Sequence, residues 1–85
     1  MGSFAASTDT QIERDADYFT ILGISASIGR DTLLDRVNAH KWFNIAAARG
    51  STEATLLRAE VAIEMTRDEI ARAQKLAREY LATGA

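Results

Sequence analysis

The chain has 85 residues, one histidine and no cysteine, with 47% hydrophobic residues, 26% charged residues and a formal charge of −2. That length supports one small domain with one core, and the composition is that of a globular chain. Disulfides and thiolate chemistry are excluded, a structural zinc site is disfavoured, and the acidic balance disfavours a nonspecific nucleic-acid binder, which needs a positive field.

No apolar run is long enough to cross a bilayer. The opening "MGSFAASTDT" has neither the basic start nor the apolar centre of a signal peptide. A cytoplasmic protein that does not engage a membrane is therefore expected. Residues 1–8 read as a flexible tail and residues 9–85 as a single helical domain.

Proline is absent and strand-type alternation is missing, so an all-α chain of four helices is expected. The first helix opens near Thr8 or Thr10, where Thr10-Gln11-Ile12-Glu13 fits a capping box, and it ends at Gly29. The second runs from about Thr32 to Arg49, closed by Gly50 in the left-handed conformation. Ser51 or Thr52 starts the third, whose stripe is Leu57, Val61 and Met65. Thr66-Arg67-Asp68-Glu69 is a clean capping box and starts the fourth, which runs to about Ala82. Ile70, Ala73, Ala77, Tyr80 and Leu81 form its buried stripe, and Asp68 precedes Arg72 at a supportive spacing. The short connections predict antiparallel neighbours.

In "AHKWFNIAAARG", residues 39–50, large aromatics are followed one turn later by alanines. Alanine lets a neighbouring backbone approach closely, while the aromatics fill the wider end. With Leu22-Gly23, Gly29, Asp35, Ala39, Trp42-Phe43, Ala46-Ala47, Gly50 and Ala54, residues 18–54 resemble one Sel-one-like repeat, a relative of the tetratricopeptide repeat. Asp31 stands where that family usually has a second glycine in the turn. Residues 51–82 resemble a degenerate second unit, a capping hairpin with a polar outer face. The resemblance implies a tetratricopeptide-like array of about one and a half to two repeats, used as an adaptor or scaffold for other proteins. "DYFTILGIS", residues 17–25, is similar to the opening of a J-domain, but that family's His-Pro-Asp loop is impossible without proline.

Trp42 and Phe43 are read as core and His40 as an exposed or rim residue. Glu53, Glu60 and Glu64 read as a solvated acidic face. Arg67, Arg72, Lys75 and Arg78, interleaved with Asp68, Glu69 and Glu79, read as a mixed-charge face.

The first helix departs from this pattern. Ile12, Ala16, Phe19, Leu22, Gly23 and Ala26 share one side, which is the packing side. Ile21, Ile24 and Ile28 fall opposite, with Tyr18 at the edge. A surface helix needs one apolar stripe, so a second one must be covered. The candidates are the fourth helix, the N-terminal tail, a protein partner or a second copy in a homodimer. Tyr18, Ile21, Ile24 and Ile28 are accordingly the candidate protein-binding residues.

The preferred function is a small protein-interaction module. A compact helical DNA-binding regulator is the alternative, disfavoured by the absence of a basic helix. No nucleophile–base pair, metal set or phosphate loop is visible, so no enzyme, cofactor or metal is expected.

Overall fold

The computed structural model describes the backbone of residues 2–29 and 34–83 and the side chains of residues 15–29 and 34–83. Within them the chain is all-α, with four helices: α1 (Gly2–Ile28), α2 (Arg36–Ala48), α3 (Thr52–Ala62) and α4 (Arg67–Thr83).

α1 begins at Gly2 rather than at Thr8 or Thr10, so residues 2–8, expected as a tail, continue the helix. Nothing in Ala5-Ala6-Ser7-Thr8 breaks a helix, and a cap signal in the interior has no force when the preceding turn is itself helical. Gly29 ends α1 with φ 70°, as expected. The expected start of α2 at Thr32 lies outside the described residues, as does Asp31. The helix itself opens at Arg36, because Asp35 is its cap: its backbone is extended and its carboxylate accepts from the Asn38 N–H at 3.0 Å. The Asp35 N–H donates to the Ala26 carbonyl at 2.9 Å, which satisfies one free acceptor at the end of α1.

α2 closes in a Schellman motif. The Ser51 N–H donates to the Ala46 carbonyl and the Gly50 N–H to the Ala47 carbonyl, both at 3.0 Å, with Gly50 at φ 107°. Ser51 then acts again as the cap of α3. Its hydroxyl accepts from the Ala54 N–H at 3.0 Å and lies 3.0 Å from the hydroxyl of Thr20 on α1. The Thr20 hydroxyl, itself buried, donates to the Ala16 carbonyl. The capping box of α4 forms reciprocally: the Thr66 N–H donates to the Glu69 carboxylate at 2.8 Å and the Glu69 N–H to the Thr66 hydroxyl at 3.1 Å. Asp68 and Arg72 do not close to ion-pair distance; the described ion pair joins Arg49 to Asp15 at 3.9 Å.

α2 is the hub. It packs against α1, α3 and α4, whereas α3 and α4 have almost no mutual contact. The expected capping hairpin of residues 51–82 therefore does not form. α3 presents Ala54 and Val61 to the core but leaves Leu56 and Ile63 exposed, so it offers α4 no continuous apolar face. α4 instead lays Ala73 and Ala77, both buried, toward α2.

The deepest large side chains are Phe43 and Ile45. Phe43 lies against Gly23: a β-carbon there would stand 2.4 Å from the ring. This close approach accounts for a glycine in the middle of a 27-residue helix, where it is about 1 kcal/mol worse than alanine. Trp42, expected in the core, is half-buried at the rim. It stacks on Phe19 with ring centroids 5.7 Å apart, and Tyr80 of α4 meets both rings edge-on. Lys41 covers Trp42 at 3.9 Å from the ring centre, and Arg49 lies 5.5 Å over Phe19. Burial lowers the Lys41 ammonium below its ordinary value, with Asp35 pulling the other way.

Two outcomes test this packing. Gly23→Ala should destabilise by about 1–2 kcal/mol, because overpacking a filled site outweighs the gain in helix propensity. Phe43→Leu in the same chain should recover part of the loss, a coupling that a double-mutant cycle in urea would read; simple additivity would show that the two side chains do not compete for space. Ser51→Ala should cost about 1 kcal/mol through loss of the cap. The exposed neighbour Thr52→Ala should stay within about 0.5 kcal/mol of wild type.

Candidate functional site

Tyr18, Ile21 and Ile28 are 59%, 61% and 60% exposed. Three large apolar side chains on one side of one helix is the feature the sequence singled out. α4 does not cover them: it reaches α1 chiefly through Tyr80 on Phe19, on the packing side. The N-terminal residues do not fold back either, since they belong to the same continuous helix.

Ile24 is a correction. It is half-buried and packed against the core cluster. It lies on the flank of α1 that turns toward α3, where Thr20 meets Ser51 and Ser27 shares a cleft with Leu57 and Val61. Ile24 thus borders the exposed stripe rather than forming its centre. Leu56 of α3 and Ile63 just after it, 69% and 81% exposed, were not singled out from the sequence. The signal was present, since α3 and its following turn hold two more large apolar residues than the stripe of Leu57, Val61 and Met65 uses.

His40 is the second correction. It is buried, not exposed, and its Nδ1 lies 3.0 Å from the Asn44 side-chain nitrogen. The Asn44 carbonyl oxygen accepts from Arg58 of α3. Arginine can only donate, which places the Asn44 oxygen toward Arg58 and its NH₂ toward His40. His40 Nδ1 must then accept, so the ring is neutral and carries its proton on Nε2. Burial, and secondarily the Arg58 guanidinium, hold the imidazole below its ordinary value, in agreement with that hydrogen-bond logic. Among the described residues no buried side-chain nitrogen or oxygen is left without a partner.

Four acidic residues border two clefts. Asp17 and Glu53 border a cleft beside Arg49 and Gly50, and Glu60 and Glu64 border one beside Arg36 and Phe43. The described residues contain no group of three or more His, Asp and Glu placed to hold a metal ion. No described helix is long and apolar enough to cross a membrane.

The neutral His40 makes stability depend on pH. In the unfolded chain a histidine titrates near 6.5; in the folded chain it titrates lower. Between those values the unfolded state binds more protons. The His40 contribution is therefore complete above about pH 6.5 and is lost as pH falls toward the folded value, with a slope of at most about 1.4 kcal/mol per pH unit. Urea midpoints measured from pH 7.5 to 5.5 should fall for the wild type. They should fall less steeply for His40→Gln, even though that variant is less stable at pH 7.5. Parallel slopes would mean that His40 is free to protonate in place.

Comparison with known proteins places the chain in no established group: no family model, curated protein or solved structure matches it.

Proposed function

We propose that this chain is a small protein-interaction module that docks a protein partner on α1 through Tyr18, Ile21 and Ile28, with Ile24 at the border. The observation that carries the reading is the exposure of those three side chains beside a packing face that is already satisfied by Ala16, Phe19 and Ala26. Each buried large aliphatic side chain contributes about 1.5–3 kcal/mol relative to exposure, so covering this stripe is a substantial driving force for association. The α1–α2 pair, closed at Gly50 and tightened by Gly23 and Ala46, is consistent with a single Sel-one-like, tetratricopeptide-like unit. An adaptor role follows from that similarity. Three contacting helices around α2, without a second hairpin, suit an isolated module better than an extended array. No catalytic role is assigned.

Ile21→Asp tests this reading better than a change at Ile24, because Ile21 makes no core contact whose loss would confuse the result. The variant should keep its melting temperature, with a stability change within about 0.5 kcal/mol. It should also lose the partner that wild-type protein retains from native lysate, since an unpaired charge in an apolar contact is costly. Sedimentation of the wild type distinguishes a second copy from a different partner. A wild-type monomer that retains nothing, or an Ile21→Asp variant that retains the same protein equally well, would overturn the proposal.

A further inference from the structure

A separate groove of about 590 Å³ opens to solvent between α2, α3 and α4, and its described lining comes from those three helices. Its apolar part consists of small residues, Ala47, Ala48 and Ala77, with Leu81 at one edge. Four longer polar side chains complete the lining: Asn44 from α2, Arg58 from α3, and Gln74 and Arg78 from α4.

The groove inverts the charge of the chain. The sequence carries 12 acidic against 10 basic side chains, yet among the described residues no carboxylate lines this groove and two guanidinium groups do. The acids nearest to clefts border the other two described ones instead. Neither Arg58 nor Arg78 makes an ion pair with a described residue. Arg58 is nonetheless held in place, because one of its N–H groups donates to Asn44, which is anchored on buried His40. A guanidinium has five donors in a planar fork, so the rest of the Arg58 fork remains for a ligand at little further ordering cost. Arg78 is exposed and has its whole fork available.

We propose that this groove binds an acidic peptide segment of another protein. Two carboxylates would pair with Arg58 and Arg78, and an apolar side chain between them would rest on Ala47, Ala77 and Leu81. Charge complementarity supplies the first half of the argument, since carboxylates match guanidinium forks in bidentate geometry. The apolar floor supplies the second: a phosphate ligand has no use for it, whereas a peptide side chain fills the space that alanines leave. An extended nucleic-acid backbone would also meet the net negative charge of the chain. Because none of Tyr18, Ile21, Ile24 and Ile28 lines the groove, this proposal stands or falls independently of the apolar stripe.

The test uses the full chain and a displayed library of random heptapeptides. Selected sequences should carry at least two carboxylates flanking a large apolar residue. The best one, synthesised with a fluorophore, should bind at least about tenfold more tightly than its Gln/Asn counterpart, as expected for charge-assisted bidentate pairs. Arg78→Gln should weaken it by about the same factor and Arg78→Lys by less, while the melting temperature of both stays unchanged because Arg78 is exposed. Affinity should fall as salt rises. Selection of neutral or basic sequences, or an acidic peptide indifferent to Arg78→Gln, would overturn the proposal. A single-stranded oligonucleotide that binds more tightly than the selected peptide, with the same dependence on Arg78, would overturn it in favour of a phosphate-bearing ligand.

Discussion

The approach of Phe43 to Gly23 is the constraint on which the remaining packing depends. The ring occupies the volume that any other residue at position 23 would claim, so α1 and α2 lie closer than two helices bearing ordinary side chains at the contact. That closeness brings Phe19 into stacking distance of Trp42 and lets Arg49 cover Phe19. On its other sides α2 presents Ala39 and Ala46, both with no exposed surface, and α4 answers with Ala73 and Ala77. A central helix with methyl groups on several sides can be approached by three neighbours. The cost is that little of its surface is left for large side chains, which is why, among the described residues, only Phe43 and Ile45 are both large and fully buried and why the aromatic trio sits at the rim.

Local chemistry was legible in the sequence and tertiary choice was not. The Thr66–Glu69 box, the Ser51 cap and the left-handed Gly29 and Gly50 are settled within a few residues of chain, and each is found where its motif stands. The outward stripe of α1 was also legible, because a single helix wheel separates Ile21 and Ile28 from Phe19 and Ala26. What failed depends on distant groups. Thr10 carries a cap motif that a longer helix overrode. Ile24 is sheltered on the flank facing α3, which a wheel drawn for one helix does not contain. α4 chose α2 over α3, although short connections favour sequential pairing. His40 is buried with its Nδ1 satisfied by Asn44, whose oxygen is in turn held by Arg58 from another helix.

The two candidate surfaces differ in kind and in place. The stripe on α1 is apolar and convex, and it offers area without direction. The groove beside α2 is concave and cationic, and it offers fixed donors over a small apolar floor. The proposed docking stripe and the proposed peptide groove share no residue, so occupation of one leaves the other open. A chain of net negative charge can hold a local cationic site because, among the described residues, its carboxylates lie elsewhere, Asp17, Glu53, Glu60 and Glu64 bordering the clefts beside Arg49 and Arg36.

Core and groove are nevertheless joined through one proton. Arg58 is oriented by the Asn44 oxygen only while the Asn44 NH₂ has an acceptor, and that acceptor is the unprotonated Nδ1 of His40. A protonated imidazole would present a donor to a donor. To satisfy it, the Asn44 amide would have to turn over, and its NH₂ would then face a guanidinium that cannot accept. No orientation of Asn44 serves both an imidazolium and Arg58. The burial that keeps His40 neutral therefore also keeps one wall of the groove in register, and the positive charge of Arg58 in turn opposes protonation of the ring. Stability below pH 6.5 and the geometry of the cationic groove are, in this fold, two consequences of the same three-residue hydrogen-bond chain.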